Sequence, residues 1–308
     1  VPEAGYELLP LRTAGLPRRP SLQGARATIS AFRAPFAARR LLREQRPDVV
    51  MGGGGYVGGP LVLAARLLGI PAVLTEADAH FGLANRLAAP FATKALLAYP
   101  IEGRDGEKYR VVGRPIPARS QAGIDRGAAR RAFGLPEDGE VVLVVGGSLG
   151  ARALNEAVLE AFAAEGPAIL HLCGERDYSD LAPRVTRSDY KLLAFTDSFG
   201  TALAAADMVV SRSGGAVWEL AAAGVPALLV PYPHATANHQ YKNARHFEAG
   251  GGARVVRQAE LKVREDVMQL LADGAVLERM RAAMLHLARP RAADDVAEVV
   301  IALASAGR

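Results

Sequence analysis

A single cysteine among 308 residues, Cys173, rules out an internal disulfide and suits a reducing compartment. Aromatic residues make up only 6% of the chain, with one tryptophan, while Ala, Leu, Val and Gly dominate. That balance belongs to α/β layers rather than to a β-sandwich. No run of about 18 uncharged apolar residues occurs, so no membrane-spanning helix is predicted, and no signal-peptide pattern is present. The six histidines (His80, His171, His234, His239, His246 and His286) lack metal-ligand spacing. Asp-x-Asp is absent as well, so neither a cofactor nor a fixed metal ion is expected. No Gly-rich stretch continues into the Gly-Lys-Ser/Thr of a Walker A loop. None matches G-x-G-x-x-G with its downstream acid, which disfavours ATP and NAD as the main ligand. Repeats with periods of some 20–50 residues are missing too.

What the chain does have is a net charge of +5, unevenly placed. Residues 1–46 carry nine arginines against Glu3, Glu7 and Glu44, so this stretch alone is +6. Leu11, Leu16, Phe32, Phe36, Leu41 and Leu42 are interleaved with them. Such a mixture suits an anionic membrane surface, or else an ordinary solvated Arg-rich helix. Nucleic acid is disfavoured, because no aromatic platform accompanies the charge.

Short apolar strands alternate with helical patterns, which predicts parallel βαβ sheets. In the first part, strands are expected at Tyr6–Leu9, Asp48–Met51, Ala72–Thr75, Ala95–Ala98 and Arg110–Val112. A loop is expected over Gly52–Gly59, with a helix from Pro60 to about Leu68. Another loop over Glu76–His80 should lead into a helix through Ala88. Residues 113–126 are rich in Pro, Gly and charge and read as a hinge. The pattern then restarts with strands at Val141–Val145, Ala168–Cys173, Lys191–Ala194, Met208–Val210, Ala227–Val230 and Ala253–Val256. After the first of these comes Gly146–Gly150, and then a helix whose apolar positions 151, 154, 158 and 162 share one face. The fold class is therefore α/β, two Rossmann-like parallel-sheet domains facing across a cleft, with ligands at the carboxyl ends of the strands. An α/β domain normally opens with a strand, a Gly-rich turn and a helix. That unit is missing before Val1, so truncation at the N-terminus is expected.

Three Gly-rich turns follow strands and open helices: Gly52–Gly59, Gly146–Gly150 and Ser213–Gly215. Each supplies free main-chain N–H groups suited to phosphate, although glycine also serves simply to turn a chain. Glu219 stands about one turn into the helix after Gly215, where a carboxylate could take a ribose diol or merely face solvent. Gln240 and Asn243, spaced i, i+3, share a face and carry the neutral amides that sugar hydroxyls need. Trp218 and Cys173 read as core residues.

The segments GGSLGARALNE (146–156), AFTDSF (194–199), SRSGGAVWELAAAGVPALLVPYPHATANHQYKNA (211–244) and GGGARVV (250–256) resemble the MurG family of peptidoglycan glycosyltransferases. MGGGGYVGGP (51–60) and GLANRLAAPFATKALLAYP (82–100) are similar to that family's acceptor half. The resemblance implies a GT-B fold and an inverting enzyme peripheral to the cytoplasmic face of the membrane. The donor would be UDP-N-acetylglucosamine and the acceptor an undecaprenyl-diphosphate-linked muramoyl pentapeptide. It further implies that Ser148 and Gly150 meet the diphosphate, that Phe195 and Thr196 border the uracil, and that Gly214, Gly215 and Ala216 present amides. Glu219 would hold the ribose, and Gln240 with Asn243 the N-acetylglucosamine. Gly53, Gly54, Gly55, Tyr56 and Asn85 would lie on the acceptor side. The expected domains are 1–118 for the acceptor and membrane side and 119–290 for the donor. A helix over about 291–308 would return to the first of these.

Three departures from the family pattern stand out. The family's first Gly-rich loop, with its active histidine, would lie upstream of Val1. Where the family reads His-Glu-Gln-Asn, this chain has Thr75-Glu76-Ala77-Asp78. Where the family has an arginine after Gly-Asn-Pro-Val, this chain has Pro117, with Arg114 and Arg119 nearby as candidate substitutes. No catalytic base is therefore assigned, and Glu76, Asp78 and His80 form the available titratable cluster. Two alternatives stay open: a GT-B transferase for another glycolipid or natural-product acceptor, and a chain that only binds UDP-sugar.

Overall fold

The computed structural model describes residues 5–11, 22–120, 123–147 and 150–306. Two compact units divide the chain, one formed by residues 1–112 with 294–308 and the other by Gly113–Ala293.

The first unit contains α1 (Leu22–Gln45), β1 (Val50–Gly52), α2 (Gly55–Leu67), β2 (Ala72–Glu76), α3 (Leu83–Ala88), β3 (Lys94–Leu97) and β4 (Tyr109–Val111). The second contains α4 (Arg126–Ala132), β5 (Val141–Val145), α5 (Arg152–Phe162), β6 (Ala168–Leu172), α6 (Glu175–Leu181), β7 (Tyr190–Leu193), α7 (Phe199–Ala205), β8 (Met208–Ser211), α8 (Val217–Ala222), β9 (Ala227–Leu229), α9 (His239–Ala249), β10 (Ala253–Val255), α10 (Val263–Leu271) and α11 (Gly274–Leu287). The last helix, α12 (Ala292–Ala306), returns to the first unit.

In the first unit β1, β2, β3 and β4 form a four-stranded parallel sheet in that order. Ala38 and Leu42 of α1, Val62 and Ala65 of α2, and Leu74 and Leu97 of the sheet build one core. On a second cluster, Val73, Leu96 and Val112 are covered by Val296, Val299, Val300 and Leu303 of α12. Residues 5–11 do not form the strand expected over Tyr6–Leu9. Tyr6 and Leu8 are exposed, and no described strand pairs with them. The helix expected from Pro60 begins earlier, at Gly55. Gly54, at φ 80°, makes the turn that starts it. A side chain at Gly52 would meet Val62 and Leu74 at 3.1 and 3.2 Å, so glycine there lets α2 settle onto the sheet.

The second unit's sheet has six parallel strands in the order β10-β9-β8-β5-β6-β7. Val141–Val145 is buried at every position, which is why β5 reads as an unbroken apolar run. Ala151, Leu154, Val158 and Phe162 are all buried, so the spacing read from the sequence does form the inner face of α5. From β5 the chain winds outward through β6 and β7, then returns to β8 on the opposite side of β5. The order of winding therefore reverses between β5 and β8. In open parallel sheets such a reversal opens a crevice at the strands' carboxyl ends.

Candidate functional site

A cavity of about 740 Å³ lies at that reversal, within the second unit. Its walls are the loops leaving β5, β8 and β9. After β5, Gly146 and Gly147 turn the chain, and the Gly150 amide donates to the Gly147 carbonyl at 2.9 Å. Gly150 has φ 74°, and a Cβ on it would lie 2.7 Å from the Cys173 carbonyl oxygen. No other residue fits there. Helix α5 begins directly beyond, at Arg152.

A buried polar chain holds this turn from below. Asn155 Nδ2 donates to the Cys173 carbonyl and to Asp177 Oδ2, both at 2.8 Å. Its Oδ1 must then accept, so His171 Nε2, 3.0 Å away, carries the proton. His171 Nδ1 in turn accepts from the Tyr190 hydroxyl at 2.8 Å. Burial pushes His171 down to about 3 and the Cys173 thiol up to about 11, and raises the Tyr190 hydroxyl. All three are neutral near pH 7.

The second wall follows β8. Ser213, Gly214, Gly215 and Ala216 lead into α8, which carries Glu219 into the cavity lining. Trp218 is buried, its ring edge-on to Phe247 with centroids 5.3 Å apart. Arg212 ties three loops together: it donates to the Val230 and Pro231 carbonyls at 3.0 and 3.3 Å and to Gln258 Oε1 at 2.6 Å. Its guanidinium also lies 5.7 Å from the centre of the Tyr232 ring. Only 8% exposed, this cation loses hydration, and burial lowers its pKa from the ordinary value. The third wall, Tyr232–His234, is fixed where the Tyr232 amide donates to Gln240 Oε1 at 2.9 Å.

Among the expected donor-side residues, Gly150, Gly214, Gly215, Ala216, Glu219 and Gln240 come together around the cavity. Asn243 does not share that face with Gln240. It is wholly buried, and its Nδ2 donates to the Ser213 carbonyl at 3.2 Å, supporting the loop from behind. Phe195 and Thr196 follow the edge strand β7 and are not part of the lining; Phe195 is exposed, and Thr196 Oγ1 accepts from the Ser198 amide. Ser148 lies outside the described residues.

In the first unit, Gly53 and Gly54 form the turn after β1, while Gly55 and Tyr56 are already in α2. Asn85 is buried and donates to the Thr75 carbonyl at 3.0 Å and to Glu76 Oε2 at 2.9 Å. Glu76 also accepts from the Gly82 and Asp78 amides at 2.9 and 3.3 Å. Glu76 and Asn85 thus brace the loop between β2 and α3, in which Asp78 and His80 are half-buried.

Of the arginines in the lining, Arg114 was noted in the sequence near the place of the family's arginine, whereas Arg152, Arg176 and Arg212 were not singled out. Arg152 sits 2.8 Å from both Glu156 and Asp180, and Arg176 lies 3.3 Å from Asp177. Gln258, which receives Arg212, carried no sequence signal at all.

Comparison with known proteins agrees with this architecture. The model of the glycosyltransferase family 28 C-terminal domain matches residues 141–296, and that of the family's N-terminal domain matches residues 1–97. The UDP-N-acetylglucosamine--N-acetylmuramyl-(pentapeptide) pyrophosphoryl-undecaprenol N-acetylglucosamine transferase of Rubrobacter xylanophilus is 40% identical, over 100% of this chain and 92% of its own length. Its namesake from Halothermothrix orenii is 35% identical, over 97% of this chain and 86% of its own. A crystal structure of Acinetobacter baumannii MurG superimposes with a TM-score of 0.73 at 29% identity, covering 89% of this chain and 79% of that one.

The chain belongs to the MurG family.

As in other MurG-family members, the two parallel-sheet units make this a GT-B glycosyltransferase. A putative UDP-N-acetylglucosamine 2-epimerase from Listeria monocytogenes shares the fold, with a TM-score of 0.66, at only 15% identity. That likeness extends to architecture alone.

Proposed function

We propose that the chain transfers N-acetylglucosamine from UDP-N-acetylglucosamine to undecaprenyl-diphosphate-linked muramoyl pentapeptide, with inversion at the anomeric carbon, in peptidoglycan synthesis. The observation carrying this reading is the cavity at the β5–β8 reversal, walled by two Gly-rich turns and Glu219. It occurs in a chain whose 35% and 40% identical relatives bear that activity in their names. Main-chain amides of Gly147, Gly214 and Gly215 would receive the diphosphate, with the Gly150 amide spent on holding the turn, and the Glu219 carboxylate would take the ribose diol. As the bond from the anomeric carbon to the diphosphate breaks, its electron pair leaves with UDP. Preorganised donors at that oxygen stabilise the charge without a metal ion. The acceptor hydroxyl attacks from the opposite face and gives up its proton. Glu76, Asp78 and His80 are the residues to test as base.

The same reading includes an anionic membrane surface. Helix α3 exposes Leu83 and Leu87, one turn apart, with Arg86 beside them and Phe91 just beyond. Apolar residues edged by cationic ones suit the headgroup layer. No described helix is long and apolar enough to cross a membrane.

Turnover of UDP-N-acetylglucosamine with a lipid-linked muramoyl-pentapeptide analogue tests the function. Product with a new N-acetylglucosamine linkage is expected. Turnover on other glycolipids alone would replace the acceptor, and UDP-sugar binding with no turnover on any acceptor would reduce the chain to a binding protein.

A further inference from the structure

Four arginines line the donor cavity, and three have commitments elsewhere. Arg152 is ringed by Glu156, Asp177 and Asp180, at 2.8, 3.8 and 2.8 Å. Arg176 is paired with Asp177. Arg212 directs its donors to carbonyls and to Gln258. Arg114 differs: among the described residues it makes no hydrogen bond and no ion pair, although it is only half exposed and lines the same cavity as Gly146, Gly150 and Gly214.

Its position is set by Gly215. A Cβ built on that glycine would stand 2.7 Å from each terminal nitrogen of Arg114 and closer still to Cζ. Equal distances to the two nitrogens, with the central carbon nearest, mean that the flat face of the guanidinium covers Gly215. Gly215 therefore does not cover the in-plane N–H edge, and no described residue accepts a hydrogen bond from it. Gly215 is not among the residues with positive φ, so its backbone would accept alanine. What excludes a side chain is the arginine itself.

We propose that Arg114, stacked on Gly215, is the counter-cation of the donor's diphosphate, and that position 215 is glycine in order to seat it. The proposal rests on the reading of this cavity as a nucleoside-diphosphate-sugar site and names the residue that supplies its positive charge. A planar fork meets two phosphate oxygens with two parallel N–H bonds, a fixed geometry that an ammonium group lacks. Its attraction grows as the departing diphosphate gains charge. The cation that a metal ion would otherwise provide is thus built into the segment leading from β4 to α4.

Calorimetric titration of the full chain with UDP and with uridine tests this. Arg114→Ala is expected to weaken UDP by about ten- to a hundredfold and to leave uridine and the unfolding midpoint unchanged. Arg114→Lys should recover only part of the loss. Gly215→Ala should weaken UDP in the parent and add nothing further in the Arg114→Ala background, because the displaced group is already gone. Unchanged UDP affinity in Arg114→Ala, an equal loss for uridine, or additive effects of the two substitutions would overturn the proposal while leaving the donor reading in place. A parent chain without UDP affinity would overturn both.

Discussion

His171 and Asn155, both wholly buried and 3.0 Å apart, fix each other's orientation beneath the turn that opens the donor cavity. Asn155 uses both of its N–H groups on Cys173 and Asp177, so the imidazole must donate from Nε2. Replacing His171 by Phe leaves the Tyr190 hydroxyl and Asn155 Oδ1 without partners, at an expected cost of about 2–6 kcal/mol in urea unfolding. The pH dependence follows from the same burial. The unfolded chain takes up the His171 proton below about 6.5, whereas the folded chain resists until about 3. This contribution is complete above that window and is lost at about 1.4 kcal/mol per pH unit as the pH falls through it. His171→Phe should lack that slope, and parallel stability curves for parent and variant would refute the assignment.

Glu219 projects into the cavity from the first turn of α8. Glu219→Ala is expected to weaken UDP by about 1–3 kcal/mol through loss of a charged hydrogen bond to ribose. The 2′-deoxy nucleotide should lose less than UDP does. Equal affinities of parent and variant by calorimetry would remove the residue from the site.

Arg212→Met unties the loops after β8, β9 and β10 at once. UDP affinity should fall by about 2 kcal/mol or more, with a lower unfolding midpoint. Arg212→Lys should restore little, because one ammonium cannot span three acceptors lying in a fork. Full rescue by lysine would show that charge alone matters.

Gln240 and Asn243 should separate cleanly. Gln240→Ala is expected to weaken UDP-N-acetylglucosamine while leaving UDP affinity and, within about 0.5 kcal/mol, stability unchanged. Asn243→Ala instead removes a buried donor from the Ser213 carbonyl and should destabilise the fold by about 1–3 kcal/mol. Indistinguishable unfolding curves for the two variants would contradict the burial difference between them.

The Leu83–Leu87 face should matter only in the presence of lipid. Leu83→Ser/Leu87→Ser should reduce sedimentation with phosphatidylglycerol vesicles several-fold and leave UDP affinity intact. Undiminished sedimentation would exclude this face as the membrane contact.

The strands of the second unit were legible because buried parallel strands need apolar side chains on both faces, so Val141–Val145 announces itself. The inner face of α5 was legible for the related reason that one stripe must be apolar. The start of α2 was hidden because Gly55, Gly58 and Gly59 read as loop, while in the fold all three lie in α2, with Gly58 against Gly52 of β1. Spacing placed Asn243 beside Gln240, but the helix begins at His239 and turns position 243 inward. Arg212 was inconspicuous because an arginine in sequence reads as a solvated charge, and Arg114 was noted only as a neighbour of the position where the family has its arginine. Only the three-dimensional placement of carbonyls, or of a glycine, gives each its task.

The first unit is assembled from two stretches of chain separated by the whole of the second. During synthesis, Gly113–Ala293 can therefore complete its six strands while Val73, Leu96 and Val112 still wait for α12 to emerge from the ribosome. The nascent protein carries a bare greasy face in its earlier half until the whole second unit and then α12 have been made.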